Sequence, residues 1–267
     1  MPTQLEMILA HTTLEVMDRR ATADIPMLER SAAAHRPRGF EAALRNTAAN
    51  GPAVIAELKK ASPSRGLIKQ HYQPAALAKS FEEAGAAALS VLTDGEFFQG
   101  SLADLERASA AVSIPCLRKD FIIDPFQILE ARASGADAIL LIVAALSDAD
   151  LKMLFDEARR MGVEALCEVH DCAEIDRAAA LGATLIGVNS RDLTTMEVRT
   201  ETHFELTQWL PRQAVRVAES GVRNVDDIAR LHGAGYDAFL VGEALMRQPD
   251  SAAALATLLD REYSSEV

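Results

Sequence analysis

From residue 53 onward, short apolar runs rich in β-favouring residues alternate with longer segments of helical periodicity. Eight such units can be traced. The apolar runs cover residues 53–58, 87–92, 114–118, 138–143, 163–169, 184–188, 215–219 and 238–241. Helical patterns follow them near 74–84, 101–112, 125–134, 147–161, 171–181, 200–210, 224–233 and 251–262. Runs such as Ile139-Leu140-Leu141-Ile142-Val143 are apolar on both faces, as parallel strands covered by helices require. Pro74 and Pro125 fall at helix starts, and Gly-Ala pairs at 85–86, 135–136 and 182–183 mark turns from helix back to strand. The rhythm is that of repeated β-α units. Eight units fit a closed (β/α)8 barrel, but an open doubly wound sheet has a similar count, so the polar residues must decide.

Residues 1–52 break the rhythm. Helical patterns around 4–19 and 40–49 are separated by a stretch containing Pro26, Pro37 and Gly39. These residues are expected to form an N-terminal helical extension packed on a barrel of residues 53–267, capping one end or covering the mouth.

The strand ends carry the chemistry. In a β/α barrel the active site lies at the C-terminal ends of the strands. There the first run supplies Glu57 and Lys59, the third Lys119 after Arg118, the fifth Glu168, the sixth Asn189 and Arg191, and the seventh Glu219 and Ser220. Leu117 precedes Lys119 by two positions, as Leu166 precedes Glu168 and Val217 precedes Glu219. Alternate residues of a strand share a face, so one face of each strand runs from apolar interior to charged mouth. A single charged strand end is usually the start of a solvated loop. Five strands delivering acid, base or amide groups in matching phase form a site in which neighbouring lysines and glutamates adjust one another's proton affinity.

A phosphate handle accompanies them. The loop Ala61-Ser62-Pro63-Ser64-Arg65-Gly66 offers hydroxyls, an arginine and a glycine. Runs seven and eight end in Glu219-Ser220-Gly221 and Val241-Gly242-Glu243, where barrels commonly bind phosphate through backbone N–H groups.

Composition narrows the possibilities. The net charge of −12 argues against non-specific nucleic-acid binding, so an anionic ligand must be held locally. The longest apolar runs are too short for a membrane span, and the acidic N-terminal residues do not form a secretory signal, so a cytoplasmic location is expected. Cys116, Cys167 and Cys172 show no zinc or redox spacing and are expected to be reduced thiols, mostly buried. The six histidines lack metal-ligand spacing. Gly233-Ala234-Gly235 precedes a strand, which rules it out as a dinucleotide fingerprint, and no phosphate-binding Walker loop or hydrolase serine elbow is present.

Taken in order, the motifs resemble those of the indole-3-glycerol phosphate synthase family. They are Ala56-Glu57-Leu58-Lys59-Lys60-Ala61-Ser62-Pro63-Ser64, Ser90-Val91-Leu92-Thr93-Asp94, Phe97-Phe98-Gln99-Gly100-Ser101 and Leu117-Arg118-Lys119-Asp120-Phe121-Ile122-Ile123-Asp124. Glu168-Val169-His170, Gly187-Val188-Asn189-Ser190-Arg191-Asp192-Leu193, Glu219-Ser220-Gly221-Val222 and Val241-Gly242-Glu243 complete the series. The resemblance runs from about residue 53 to 249. The extension before residue 50 does not carry it: the family's basic early helix is reduced to patches such as Arg19-Arg20, and Ala61 stands where some relatives carry lysine.

The resemblance implies a β/α barrel that converts 1-(2-carboxyphenylamino)-1-deoxyribulose 5-phosphate to indole-3-glycerol phosphate, releasing carbon dioxide and water, with no cofactor. By the same resemblance, Lys119 protonates the carbonyl during ring closure. Glu168, Glu57 and Lys59 serve later proton transfers, Asn189 orients the substrate, and Arg191 and Glu219 organise the mouth. Ser62, Ser220, Gly221, Gly242 and Glu243 hold phosphate, the last two mainly through backbone N–H groups, and Phe121 packs against the anthranilate ring. The alternatives are another phosphate-binding barrel such as phosphoribosylanthranilate isomerase, whose cysteine–aspartate pair is replaced here by Glu-x-Lys, and a noncatalytic partner barrel that binds phosphate ligands or docks on another pathway enzyme. Oligomeric state is open.

Overall fold

The structure is a computed structural model describing residues 3–192 and 195–260. Leu193 and the last two residues of the helix expected at 251–262 lie outside the described residues. Helices α1 (Gln4–Thr22), α2 (Ile25–Ala34) and α3 (Phe40–Ala48) precede strand β1 (Ala53–Leu58). A short hairpin, β2 (Ala61–Ser62) and β3 (Gly66–Leu67), follows at once. Then come α4 (Pro74–Glu83), β4 (Ala88–Leu92), α5 (Leu102–Ala111), β5 (Cys116–Lys119), α6 (Pro125–Ala133), β6 (Ala138–Ile142) and α7 (Asp148–Arg160). The chain continues through β7 (Glu164–Val169), α8 (Cys172–Ala180), β8 (Leu185–Asn189), α9 (Glu201–Leu206), β9 (Val215–Glu219), α10 (Val225–Gly233) and β10 (Ala238–Val241). It ends with α11 (Glu243–Met246) and α12 (Ser251–Leu258).

Eight parallel strands close in the order β1-β10-β9-β8-β7-β6-β5-β4, a TIM barrel. The period-2 pattern explains its two cores. In β1, Val54, Ala56 and Leu58 face the helix ring, while Ala53 and Ile55 face the barrel interior with Leu117, Leu140, Leu166 and Val217. Both faces being buried, the strands had to be apolar throughout except at their ends. Cys116 and Cys167 lie in the outer core as free thiols. Polar residues before the helices act as caps: the side chains of Ser101, Asp124, Ser147, Asp171, Asn224 and Asp250 each accept a first-turn N–H.

Several local expectations shift. The third strand starts and ends later than expected, bringing Lys119 inside it, and the sixth extends to Asn189. Pro26, read as part of a break, sits in the first turn of α2, where its missing N–H costs nothing. The loop after β1 is a hairpin, in which Ile68 and Lys69 both donate to the carbonyl of Lys60. Among the described residues no helix is long and apolar enough to cross a membrane.

The extension works at both ends of the barrel. Phe40 and Leu44 of α3 are fully buried against the interior residues Ala53, Ala88, Ala138 and Val215, closing the floor. Asp137 at the same end accepts from Arg38 at 2.6 Å and from Cys116 N at 2.7 Å. Helix α1 reaches the other end, where Gln4, Leu5 and Ile8 face the mouth. Arg19 anchors it to Glu130 of α6 at 2.9 Å, and Glu130 also pairs with the buried Arg118 at 3.3 Å. Phe40→Ala should therefore cost about 3–5 kcal/mol of stability through the cavity left in the floor, measured by urea unfolding.

Candidate active site

Four alternate strands each contribute one charged residue to the topmost layer of the barrel interior: Glu57 from β1, Lys119 from β5, Glu168 from β7 and Glu219 from β9. Each lies two residues beyond an interior apolar side chain, namely Ile55, Leu117, Leu166 or Val217. TIM-barrel interiors are filled in such layers of four from alternate strands. Here the apolar layer is capped by a charged one. The Lys119 ammonium is 3.0 Å from Glu168 and 3.5 Å from Glu219, although β9 lies opposite β5 in the ring. Lys59 pairs with Glu57 at 2.5 Å.

Two glycines make room for the carboxylates. A Cβ on Gly187 of β8 would stand 2.1 Å from Glu219 Oε1, and one on Gly242, just after β10, 2.3 Å from Glu57 Oε1. The intervening strands thus yield space so that the acids can converge.

Glu168, Glu219 and Lys119 are shifted in different directions. Burial opposes charge on Lys119, but Glu168, Glu219 and Glu57 outweigh it and hold the ammonium well above the usual lysine range. Burial also raises Glu168, yet Lys119 and His170 overcome that and keep its carboxylate well below the usual range. Burial pushes Glu219 up, Lys119 offsets only part of this, and Glu168 pushes it further. The two acids beside Lys119 are thus pushed in opposite directions, Glu168 toward the ionised form and Glu219 toward the protonated one.

These residues form the floor of a cavity of ≈ 960 Å³ that also includes Lys59, Ser62, Phe121, Asn189, Arg191, Ser220, Gly221, Gly242 and Glu243. All the site residues expected from the sequence therefore meet on one surface. Asn189 Oδ1 accepts from Arg191 N at 3.0 Å, and the Arg191 side chain donates to Met196 O at 2.9 Å. Ser62 Oγ is buried without a hydrogen-bond partner. Ser220 and Gly221 adopt left-handed backbone with φ of 64° and 81°. Gly242 and Glu243 open α11, whose first N–H groups have no partner within the helix. The Glu243 carboxylate itself faces Arg65 at 3.1 Å and Arg247 at 3.2 Å. Among the described residues no cluster of three or more His, Cys, Asp or Glu is arranged to hold a metal ion.

Other residues of the wall had no role assigned from the sequence. Leu5 and Ile8 of α1 join Phe98 and Phe121 as an apolar wall, the two phenyl rings 6.4 Å apart. Asp94 builds the turn bearing Phe98 by accepting from Phe97 N at 2.7 Å and Phe98 N at 3.1 Å. Burial raises its carboxyl to about 6 against those two bonds. The Phe97-Phe98-Gln99-Gly100 motif was the available signal. Nothing in the local pattern announced Ile8, which reaches the site only through the packing of α1.

A sequence profile described as indole-3-glycerol phosphate synthase matches residues 5–258. The match includes the extension, which the motifs alone had left outside the resemblance. A protein named indole-3-glycerol phosphate synthase from Koribacter versatilis is 57% identical over 259 residues, covering 97% of this chain and 100% of that one. One of the same name from Mycobacteroides abscessus is 48% identical over 258 residues, covering 96% and 94%. Among solved structures, thiamine phosphate pyrophosphorylase from Pyrococcus furiosus has a TM-score of 0.58 at 16% identity, covering 78% of this chain and 93% of that one, a likeness of fold alone.

The raised Glu219 carboxyl gives a measurable linkage. A carboxyl group that binds its proton more tightly when folded loses stability for the protein as pH rises from its unfolded value toward its folded one. Glu219→Gln removes that dependence, so urea unfolding of the variant should show a smaller decline in stability than the wild type between about pH 5 and 8.

Proposed function

Because the chain belongs to the indole-3-glycerol phosphate synthase family, a carboxy-lyase family of tryptophan biosynthesis, we propose the following roles for its residues in the ring closure of 1-(2-carboxyphenylamino)-1-deoxyribulose 5-phosphate. The observation that carries this assignment is the Lys119 ammonium held between Glu168 and Glu219 at the centre of the barrel mouth.

The substrate lies across the mouth. Its anilino ring rests on Phe98, Phe121 and Ile8, and its phosphate reaches the part of the rim formed by Ser62, Ser220, Gly221 and the start of α11. The ring carbon bearing the carboxylate attacks the ribulose carbonyl carbon. As that bond forms, the carbonyl oxygen takes a proton from Lys119 and becomes a hydroxyl. Three surrounding carboxyl groups keep Lys119 charged until the proton is needed. The carbon–carboxylate bond then breaks, its electrons return to the ring and carbon dioxide departs. In the last step the hydroxyl accepts a proton and leaves as water, while a proton is lost from the adjacent carbon to complete the indole. Glu168, Glu57 and Lys59 carry these two transfers, with Lys59 and Glu57 already in contact at 2.5 Å. Asn189 and Arg191 orient the substrate from the sixth barrel strand and its loop. The reaction takes place in the cytoplasm.

Purified protein should produce indole fluorescence from the anilino ribulose phosphate without added metal or nucleotide, and folded protein that leaves intact substrate unchanged would sink the assignment. Lys119→Met should lower kcat by about 10²–10⁴-fold while substrate binding, followed by calorimetry, stays measurable; a near-normal rate removes Lys119 from the acid role.

A further inference from the structure

His170 follows Glu168 by two positions on β7 and the loop that continues it, which puts both side chains on the mouth face. Its ring lies between two carboxylates. Nδ1 is 3.0 Å from Glu174 Oε2, in the first turn of α8, and Nε2 is 3.5 Å from Glu168 Oε1. The same Glu174 oxygen accepts from His170 N at 2.8 Å, which fixes the ring's base, while Nε2 is buried without a hydrogen-bond partner and faces the Glu168 carboxylate at 3.5 Å. An ionised carboxylate can only accept hydrogen bonds. A neutral imidazole would turn a lone pair toward one of the two, so a ring set between two carboxylates favours a proton on each nitrogen.

The surroundings agree. Burial disfavours the imidazolium, but Glu168 and Glu174 outweigh it and push His170 up to about 10. Glu168 in turn faces Lys119 from β5, receives Asn189 from β8, and has Glu219 from β9 near the same ammonium. Glu57 of β1 lies on the far side of Lys119. The turn 143–145 packed against β7 brings only Val143, Ala144 and Ala145, and Arg177 of α8 is occupied by Asp148, Val143 O and Leu146 O.

We propose that His170 is a positioning residue: backed by Glu174, its imidazolium holds Glu168 ionised and directed at Lys119. The proposal rests on the roles given above to Glu168 and Lys119. Three buried carboxyl groups surround one ammonium in the charged layer, so a second cation behind Glu168 decides which of them stays ionised. It also matters during turnover. Once Lys119 has given its proton to the substrate oxygen, the neutral amine no longer holds Glu168 charged, whereas the imidazolium still does.

Two measurements separate this role from a purely structural one. In wild-type protein carrying ¹⁵N-labelled histidine, His170 should show both ring nitrogens protonated through pH 8, and Glu168→Gln should lower its pKa by about one unit or more, equivalent to tenfold weaker proton binding. An imidazole titrating near the ordinary value of about 6.5, or unmoved by Glu168→Gln, overturns the proposal. In the assay, His170→Gln should reduce kcat about tenfold with KM changed less than about threefold, and Glu174→Gln, which keeps an acceptor for His170 N, should reduce kcat in the same direction. A kcat for His170→Gln within about twofold of wild type overturns it as well. Wild-type protein that makes no product defeats the reading of the reaction, and the nitrogen spectra still decide whether His170 governs Glu168.

Discussion

An ammonium group enclosed by three carboxyl groups can exist in this fold only because the sheet closes on itself. Lys119, Glu168, Glu219 and Glu57 arise on four different strands, and β5 and β9 stand opposite one another in the ring. Burying any one of these charges alone is costly. Together they offset one another, and they do so at the layer where apolar filling gives way to the open cavity. The apolar layers below provide rigid support, and the glycines of the neighbouring strands provide the space. The outcome is a lysine held charged between two acids pushed in opposite directions, at 3.0 Å from Glu168 and 3.5 Å from Glu219.

The β-α alternation made eight parallel β-α units legible, because a parallel strand buried on both faces leaves a continuous apolar run that amphipathic helices do not imitate, while the choice of a closed barrel over an open sheet came from the charged strand ends and the motifs. The charged layer was legible for a related reason: Leu117 before Lys119 and Val217 before Glu219 mark one strand face changing character at its end. What stayed hidden depended on contacts between distant elements. Pro26 looked like a break because its position within a helix is set by where α2 starts. Ile8 looked like any apolar helix residue until α1 crossed the mouth. His170 lacked any metal-ligand spacing, and although its two-residue offset from Glu168 was visible, its partner Glu174 belongs to the next helix, so the pairing that backs the ring was not.

Arg118 and Lys119 show how one strand serves two purposes. Adjacent residues point to opposite faces, so Arg118 is buried toward α6, where it meets Asp120 at 2.9 Å and Glu130 at 3.3 Å, while Lys119 points into the mouth. Glu130 also holds Arg19 of α1. The ion pairs that seat the extension and those that hold the acid thus share a peptide bond, and a shift of β5 along its own axis would disturb both.

The closure of the barrel also sets an order of events on the ribosome. β1 pairs on one side with β4, which follows soon after, and on the other with β10, near the end of the described chain. During synthesis the first strand therefore waits with one edge exposed until β10 has emerged, and exposed strand edges invite mispairing. Helix α3 emerges before any strand and carries the aromatic plug of the floor. A nascent chain thus has an apolar surface on which early strands can collect while the final one is still being made.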